Sequence, residues 1–169
     1  MTSHARHLRI IVAASAAAIG MPAHAVTQNA SVNANVVKPL SLTALQGLDL
    51  GTITLPTGAW SNATVGISRA GLFNCSAKVI CTGAPQVASF NVVGSNRMVV
   101  NVSAPNVTLV NQSDATKTLN LVTDGPGQVT LPNSGNQGVV FNIGGSITVS
   151  STTPSGTYKG TIDVTVNYQ

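Results

Sequence analysis

The sequence predicts an all-β fold, a single antiparallel β-sandwich, and three observations carry that expectation. Apolar and polar residues alternate with period two through most of the chain beyond residue 26, the pattern of half-buried strands. Turn-forming clusters recur roughly every ten residues, as sandwiches and barrels require. After the first 25 residues no segment sustains a helical apolar stripe, and the Thr, Val and Ile content suits pleated surfaces.

The strands can be placed in order. Ala30, Val32, Ala34 and Val36 alternate with Ser31, Asn33 and Asn35. Residues 50–55, 64–68 and 87–93 are further short candidates. Residues 98–103 alternate again, with Val100 and Val102 on one face. Leu119 with Leu121, Val139 with Phe141 and Ile143, and Ile147 with Val149 complete the middle. Between them lie Pro56-Thr57-Gly58, Thr82-Gly83-Ala84-Pro85, Asp124-Gly125-Pro126-Gly127 and Pro132-Asn133-Ser134-Gly135, all of turn composition.

The N-terminus has the three parts of a cleaved signal peptide. His4, Arg6, His7 and Arg9 form a basic start, residues 10–19 an apolar run, and Ala23-His24-Ala25 a small-residue cleavage site after Gly20 and Pro22. A bilayer-spanning helix needs about 20 apolar residues, and this run is half that. Residues 1–25 are therefore expected to leave, and 26–169 to fold as one exported domain without a stable membrane span. That length suits one real core.

Charge and missing side chains narrow the function. Beyond residue 25, Lys38, Arg69, Lys78, Arg97, Lys117 and Lys159 face Asp49, Asp114, Asp124 and Asp163, a scattered net charge of +2. No basic stripe suited to nucleic acid is present. His4, His7 and His24 all lie in the leader, and the chain has no Glu. His-based triads and imidazole metal sites are thereby excluded from the mature chain. General acid–base work would fall to Asp, Tyr or Lys alone. The expectation is a non-enzyme without cofactor or metal.

Cys75 and Cys81 are the two cysteines, with five residues between them. In an exported chain such a pair is expected to form a disulfide. The short loop suggests a bridge worth about 2 kcal/mol that pins a local hairpin.

The C-terminal segment is the most informative. After Pro154-Ser155-Gly156, residues Tyr158, Gly160, Ile162, Val164, Val166 and Tyr168 share one face, opposite Thr157, Lys159, Thr161, Asp163, Thr165 and Asn167. Extended, residues 158–168 reach about 34 Å, and such an edge must be paired or covered. Gly156 is fourteenth from the C-terminus and Tyr168 penultimate. This bracketed alternation resembles the C-terminal signature of chaperone–usher pilus subunits. The resemblance implies that a periplasmic chaperone pairs with this strand, and that a neighbouring subunit's N-terminal extension then replaces the chaperone by strand addition. The candidate donor here is Ala30, Val32, Ala34 and Val36; alternation alone fits equally an ordinary first strand. More broadly, residues 36–40, 48–53, 156–160 and 164–168 resemble a bacterial exported domain-of-unknown-function family, number 4402, and the tail is similar to spore-coat protein U domains. These resemblances imply a pilin-like, Ig-like sandwich at the cell surface, and no catalytic residues. Close-spaced cysteines and Leu50, where the family usually carries Phe, depart from the patterns.

Two other classes are weighed beside the structural subunit. A self-complemented adhesive or carbohydrate-binding module would use Trp60, flanked by Gly58 and Asn62, to stack on a sugar. An enzyme would have to rely on residues such as Asp49 or Asp163, more economically read as a turn residue and a solvated strand residue.

Overall fold

The computed structural model describes residues 25–132 and 137–169. The signal-peptide expectation and most of the Pro132–Gly135 turn fall outside the described residues. Thirteen strands occur among them, and no helix. They are β1 (Ser41–Gln46), β2 (Thr52–Thr54), β3 (Ala63–Ile67), β4 (Phe73–Cys75), β5 (Ile80–Thr82), β6 (Ala88–Val93) and β7 (Val99–Ser103), followed by β8 (Val107–Asn111), β9 (Thr118–Asp124), β10 (Gln128–Thr130), β11 (Val139–Val149), β12 (Tyr158–Lys159) and β13 (Thr165–Tyr168). They belong to one compact unit, Val36–Gln169. Residues 25–35, taken by themselves, are exposed and form no strand.

All pairings are antiparallel. The largest sheet runs β1-β6-β11-β9-β8-β12, with β3 on β11 and β4 on β3; a second runs β10-β7-β13, and β2 with β5 makes a third. The sandwich expected from the alternation is present. Its spine is β11, which the sequence suggested as two pieces. Residues 139–143 pair with β6, and residues 144–149 with β9 and β3. Gly144 marks the change of partner. A Cβ there would lie 2.5 Å from the backbone of Ser68 and Arg69, so only glycine allows the β3 turn to come so close.

Two apolar cores flank this spine. The first joins Ala88, Val92, Phe141 and Ile143 of the large sheet to Val100, Val102 and Leu131 from the side of β7 and β10. Phe90 stacks on Phe141 with ring centroids 5.7 Å apart, a favourable aromatic geometry. The second core gathers Ala63, Val65, Leu121, Ile147, Val149 and Val79. Leu48 and Ile162 pack against both. These inward residues fall at every second position, as the pleat demands.

The expected Cys75–Cys81 disulfide is formed, with Cα atoms 6.2 Å apart. Its expected setting needs correction, because no hairpin joins the two cysteines. β4 pairs with β3, and β5 pairs with β2. The bridge therefore fastens the small β2–β5 ribbon to the large sheet. The local reason is the turn at residues 76–79, where the Val79 N–H donates to the Ser76 carbonyl at 3.1 Å. It turns the buried Val79 into the second core and sends β5 away from β4.

Replacing both cysteines by Ser should lower unfolding free energy by about 2 kcal/mol, measured by urea denaturation without reductant. Amide exchange should rise in β2 and β5 and stay unchanged in β6. Equal acceleration throughout would show that the bridge does not serve the ribbon in particular.

Candidate functional site

The C-terminal segment runs antiparallel to the continuous stretch that holds β7 and β8. Tyr158 opposes Asn111 and Lys159 opposes Val110; further on, Thr165 opposes Ser103 and Tyr168 opposes Val100. The single long strand expected from the alternation is thus two short ones, with residues 160–164 outside any ladder. Two features of the opposite stretch account for the gap. Pro105 lacks an N–H. The register also slips: seven steps from Val110 to Ser103 face six from Lys159 to Thr165, an irregularity of the bulge kind.

The expected two faces are present along this segment. Tyr158, Ile162, Val164, Val166 and Tyr168 are half-buried, while Lys159, Thr161, Asp163, Thr165 and Asn167 are exposed. Gly160, expected on the inward face, is exposed, yet a Cβ there would lie 2.8 Å from Val107 and 2.9 Å from Leu109. None of the inward residues is fully covered.

Beside Tyr158 and Ile162 the cause is an open groove of about 1330 Å³. One lip is the end of β1 and its continuation, residues 44–53. The other is residues 153–162. The floor is apolar and comes from four strands: Ala88 and Phe90 of β6, Leu109 of β8, Leu119 and Leu121 of β9, and Ile147 and Val149 of β11. Ala44 shows the effect of the opening on a single side chain. It shares the inward face of β1 with the half-buried Leu42, yet it is exposed. Ile53, opposite Cys81, brings the disulfide-held ribbon into the same wall.

Both lips offer unpaired strand edges. Among the described residues β1 pairs with β6 alone and β12 with β8 alone. Within the lips, residues 44–46 of β1 and 158–159 of β12 thus leave backbone donors and acceptors on the side away from the partner strand.

The turn before β12 explains Gly156. Its φ is +144°, a value that disfavours side chains. A Cβ would also lie 2.6 Å from Oδ1 and 2.8 Å from Cγ of Asn111. Asn111 is a polar residue only 2 % exposed, and both ends of its side-chain amide are engaged. Its Nδ2 donates to the Ser155 carbonyl at 3.1 Å, and its Oδ1 accepts from the N–H groups of Ser113 at 2.9 Å and Asp114 at 3.3 Å. The Gln112 N–H donates to the Thr157 carbonyl at 2.8 Å, and the Tyr158 hydroxyl to the Pro154 carbonyl at 2.8 Å. One buried amide therefore joins the β8–β9 turn to the start of the C-terminal lip. In that turn the Thr116 hydroxyl and then its N–H hold the Asp114 carboxyl below its ordinary pKa. A depressed carboxylate supports the fold above its unfolded pKa and loses that support as acid protonates it.

The other sequence candidates are distributed as follows. Ala30, Val32, Ala34 and Val36 are exposed and form no strand; Val32 and Val36 each keep 90 % of their surface. Trp60 packs against the second core, and its Nε1–H donates to the Pro56 carbonyl at 3.2 Å. Asp49 accepts from the Gly51 N–H at 2.8 Å in a turn. Asp163 is exposed and lies between β12 and β13, outside any strand. Asn111 was not singled out by the sequence; the run Asn111-Gln112-Ser113-Asp114 reads only as a turn, and the bond to Ser155 spans 44 residues. Nor were Leu109 and Leu119, because their shared floor depends on strand order.

Fold and site together define a disulfide-braced antiparallel β-sandwich with an apolar groove between two unpaired strand edges. The chain belongs to the family described as "Domain of unknown function (DUF4402)", whose model matches residues 40–168. No curated protein and no solved structure matches it.

Gly156→Ala should lower stability by about 2 kcal/mol through the positive φ and the clash with Asn111. Asn111→Ala should cost about 2–3 kcal/mol by leaving the turn groups unpaired. Thermal melts check both; a Gly156→Ala protein as stable as the parent would show that this turn relaxes freely.

Proposed function

We propose that this protein is a non-enzymatic structural subunit of a bacterial surface fimbria or coat, assembling by β-strand addition. The observation that carries the proposal is the groove. An extended segment laid along it would pair its backbone with the free edges, and alternate side chains would meet the apolar floor. In this reading the donor is the exposed N-terminal segment of another copy or a related subunit, with Ala30, Val32, Ala34 and Val36 facing inward. Val32 and Val36 would provide the larger contacts, and the two Ala side chains would fill the floor only in part. The route is export to the periplasm, where a chaperone strand would occupy the same groove before the neighbour does, and then display at the cell surface. The disulfide is compatible with an oxidising compartment.

A self-complemented adhesive or sugar-binding module draws less support. The indole of Trp60, the residue that reading needs, is turned onto the second core and its N–H is already engaged.

Protein sheared from native cells and run on a denaturing gel without boiling should form a ladder. Boiling should collapse it to one band near the mature mass, because a paired strand must leave as a unit and the assembly is kinetically stable. Val32→Asp should abolish the ladder and leave the melting temperature of the monomer unchanged, since the residue is exposed. A single monomer band in both lanes for the unmutated protein would contradict the proposal.

A further inference from the structure

The penultimate residue does more than end the last strand. Tyr168 Oη accepts from the Ser95 N–H at 2.7 Å and donates to the Lys38 carbonyl at 2.6 Å. The Lys38 N–H in turn donates to Ser95 Oγ at 2.6 Å. Three hydrogen bonds thus close a ring through three residues separated in sequence by 57, 73 and 130 positions. The Tyr168 hydroxyl both accepts and donates, so its two bonds strengthen each other.

The position of the ring matters more than its strength. Lys38 stands three residues before β1, whose far end forms one lip of the groove. Tyr168 ends β13, at the far end of the segment that forms the other lip. Ser95 sits in the loop that carries the chain from β6 to β7, two residues beyond Val93, the partner of Ser41. β1 and the C-terminal segment run in opposite directions, so the start of one meets the end of the other at this ring. Residues 44–53 and 153–162 line the groove; residues 38–42 and 164–168 do not. The two lips are tied at one end and part at the other.

We propose that Tyr168 is a positioning residue for the groove: its hydroxyl latches the lips together at their closed end and so governs how fast a strand enters and leaves. This rests on the strand-addition reading. Parting two tied lips is part of the barrier to insertion, and the same tie holds an inserted strand between them. Loss of the latch therefore accelerates both directions and changes affinity little. A merely structural defect weakens binding without speeding entry.

The test uses the mature chain and a dye-labelled synthetic peptide spanning residues 26–37, with uptake and release followed by fluorescence. Tyr168→Phe keeps the ring that packs on the first core and removes the hydroxyl; Ser95→Ala removes another link. Tyr168→Phe should take up and release the peptide about tenfold faster, the equivalent of one ordinary hydrogen bond, and Ser95→Ala, which keeps both bonds of the Tyr168 hydroxyl, by a smaller factor, each with a dissociation constant within about twofold of the parent. Unchanged rates, or weaker binding with no faster entry, would overturn the latch. If the unmutated protein takes up no peptide, the strand-addition reading falls instead. The tie itself is then decided on free protein by amide exchange. In Tyr168→Phe, joint acceleration at residues 38–42 and 165–168 supports it, and acceleration at residues 165–168 alone rejects it.

Discussion

Two strand edges without partners face each other across an apolar floor, and the rest of the domain is arranged around that constraint. A backbone N–H or C=O at an edge is tolerable while water reaches it. An apolar floor beside it is tolerable while it is narrow. Together they leave a place where a further strand satisfies both needs at once. The half-burial of Tyr158 and Ile162 is the local signature of this arrangement. In a closed sandwich of the same residues those side chains would be covered.

Keeping such an opening requires rigid surroundings, and each boundary has its own support. β11 crosses both cores and holds three partner strands, so the floor is built from the most interconnected part of the sheet. The disulfide fastens the β2–β5 ribbon, which brings Ile53 into one wall. Asn111 holds the start of the opposite lip through a buried amide with both its donor and acceptor ends engaged. A buried polar group with every partner in place specifies geometry strongly, because losing any partner exposes an uncompensated charge separation in a low-dielectric setting. The Lys38–Ser95–Tyr168 ring does the same at the far end with backbone groups and two hydroxyls.

Much of this was legible in the chain. The period-two runs placed β3, β6, β7, β9 and β11 close to their observed positions, because each has one face on a core and one in water. The same reasoning found both faces of residues 158–168. It missed β4, β5 and β10, which span three residues each, too short for alternation to register, and also the five-residue β8. It also missed β1, where Leu45 interrupts the pattern by pointing outward at 57 % exposure. The cysteine pair was correctly joined but wrongly set in a hairpin, since spacing says which cysteines can meet and nothing about which strands pair beside them.

The sequence by itself determined the class: an all-β chain of alternating strands, with a disulfide, no Glu, and no His after residue 24. Those are properties of residue type and spacing, which act locally and survive any choice of strand order. Only the tertiary structure decided that β1 and the C-terminal segment flank one groove, that Gly156 is demanded by the Asn111 side chain, and that Tyr168 closes a ring with Lys38 and Ser95. Each of these depends on contacts between residues tens of positions apart, and strand order alone brings such residues together.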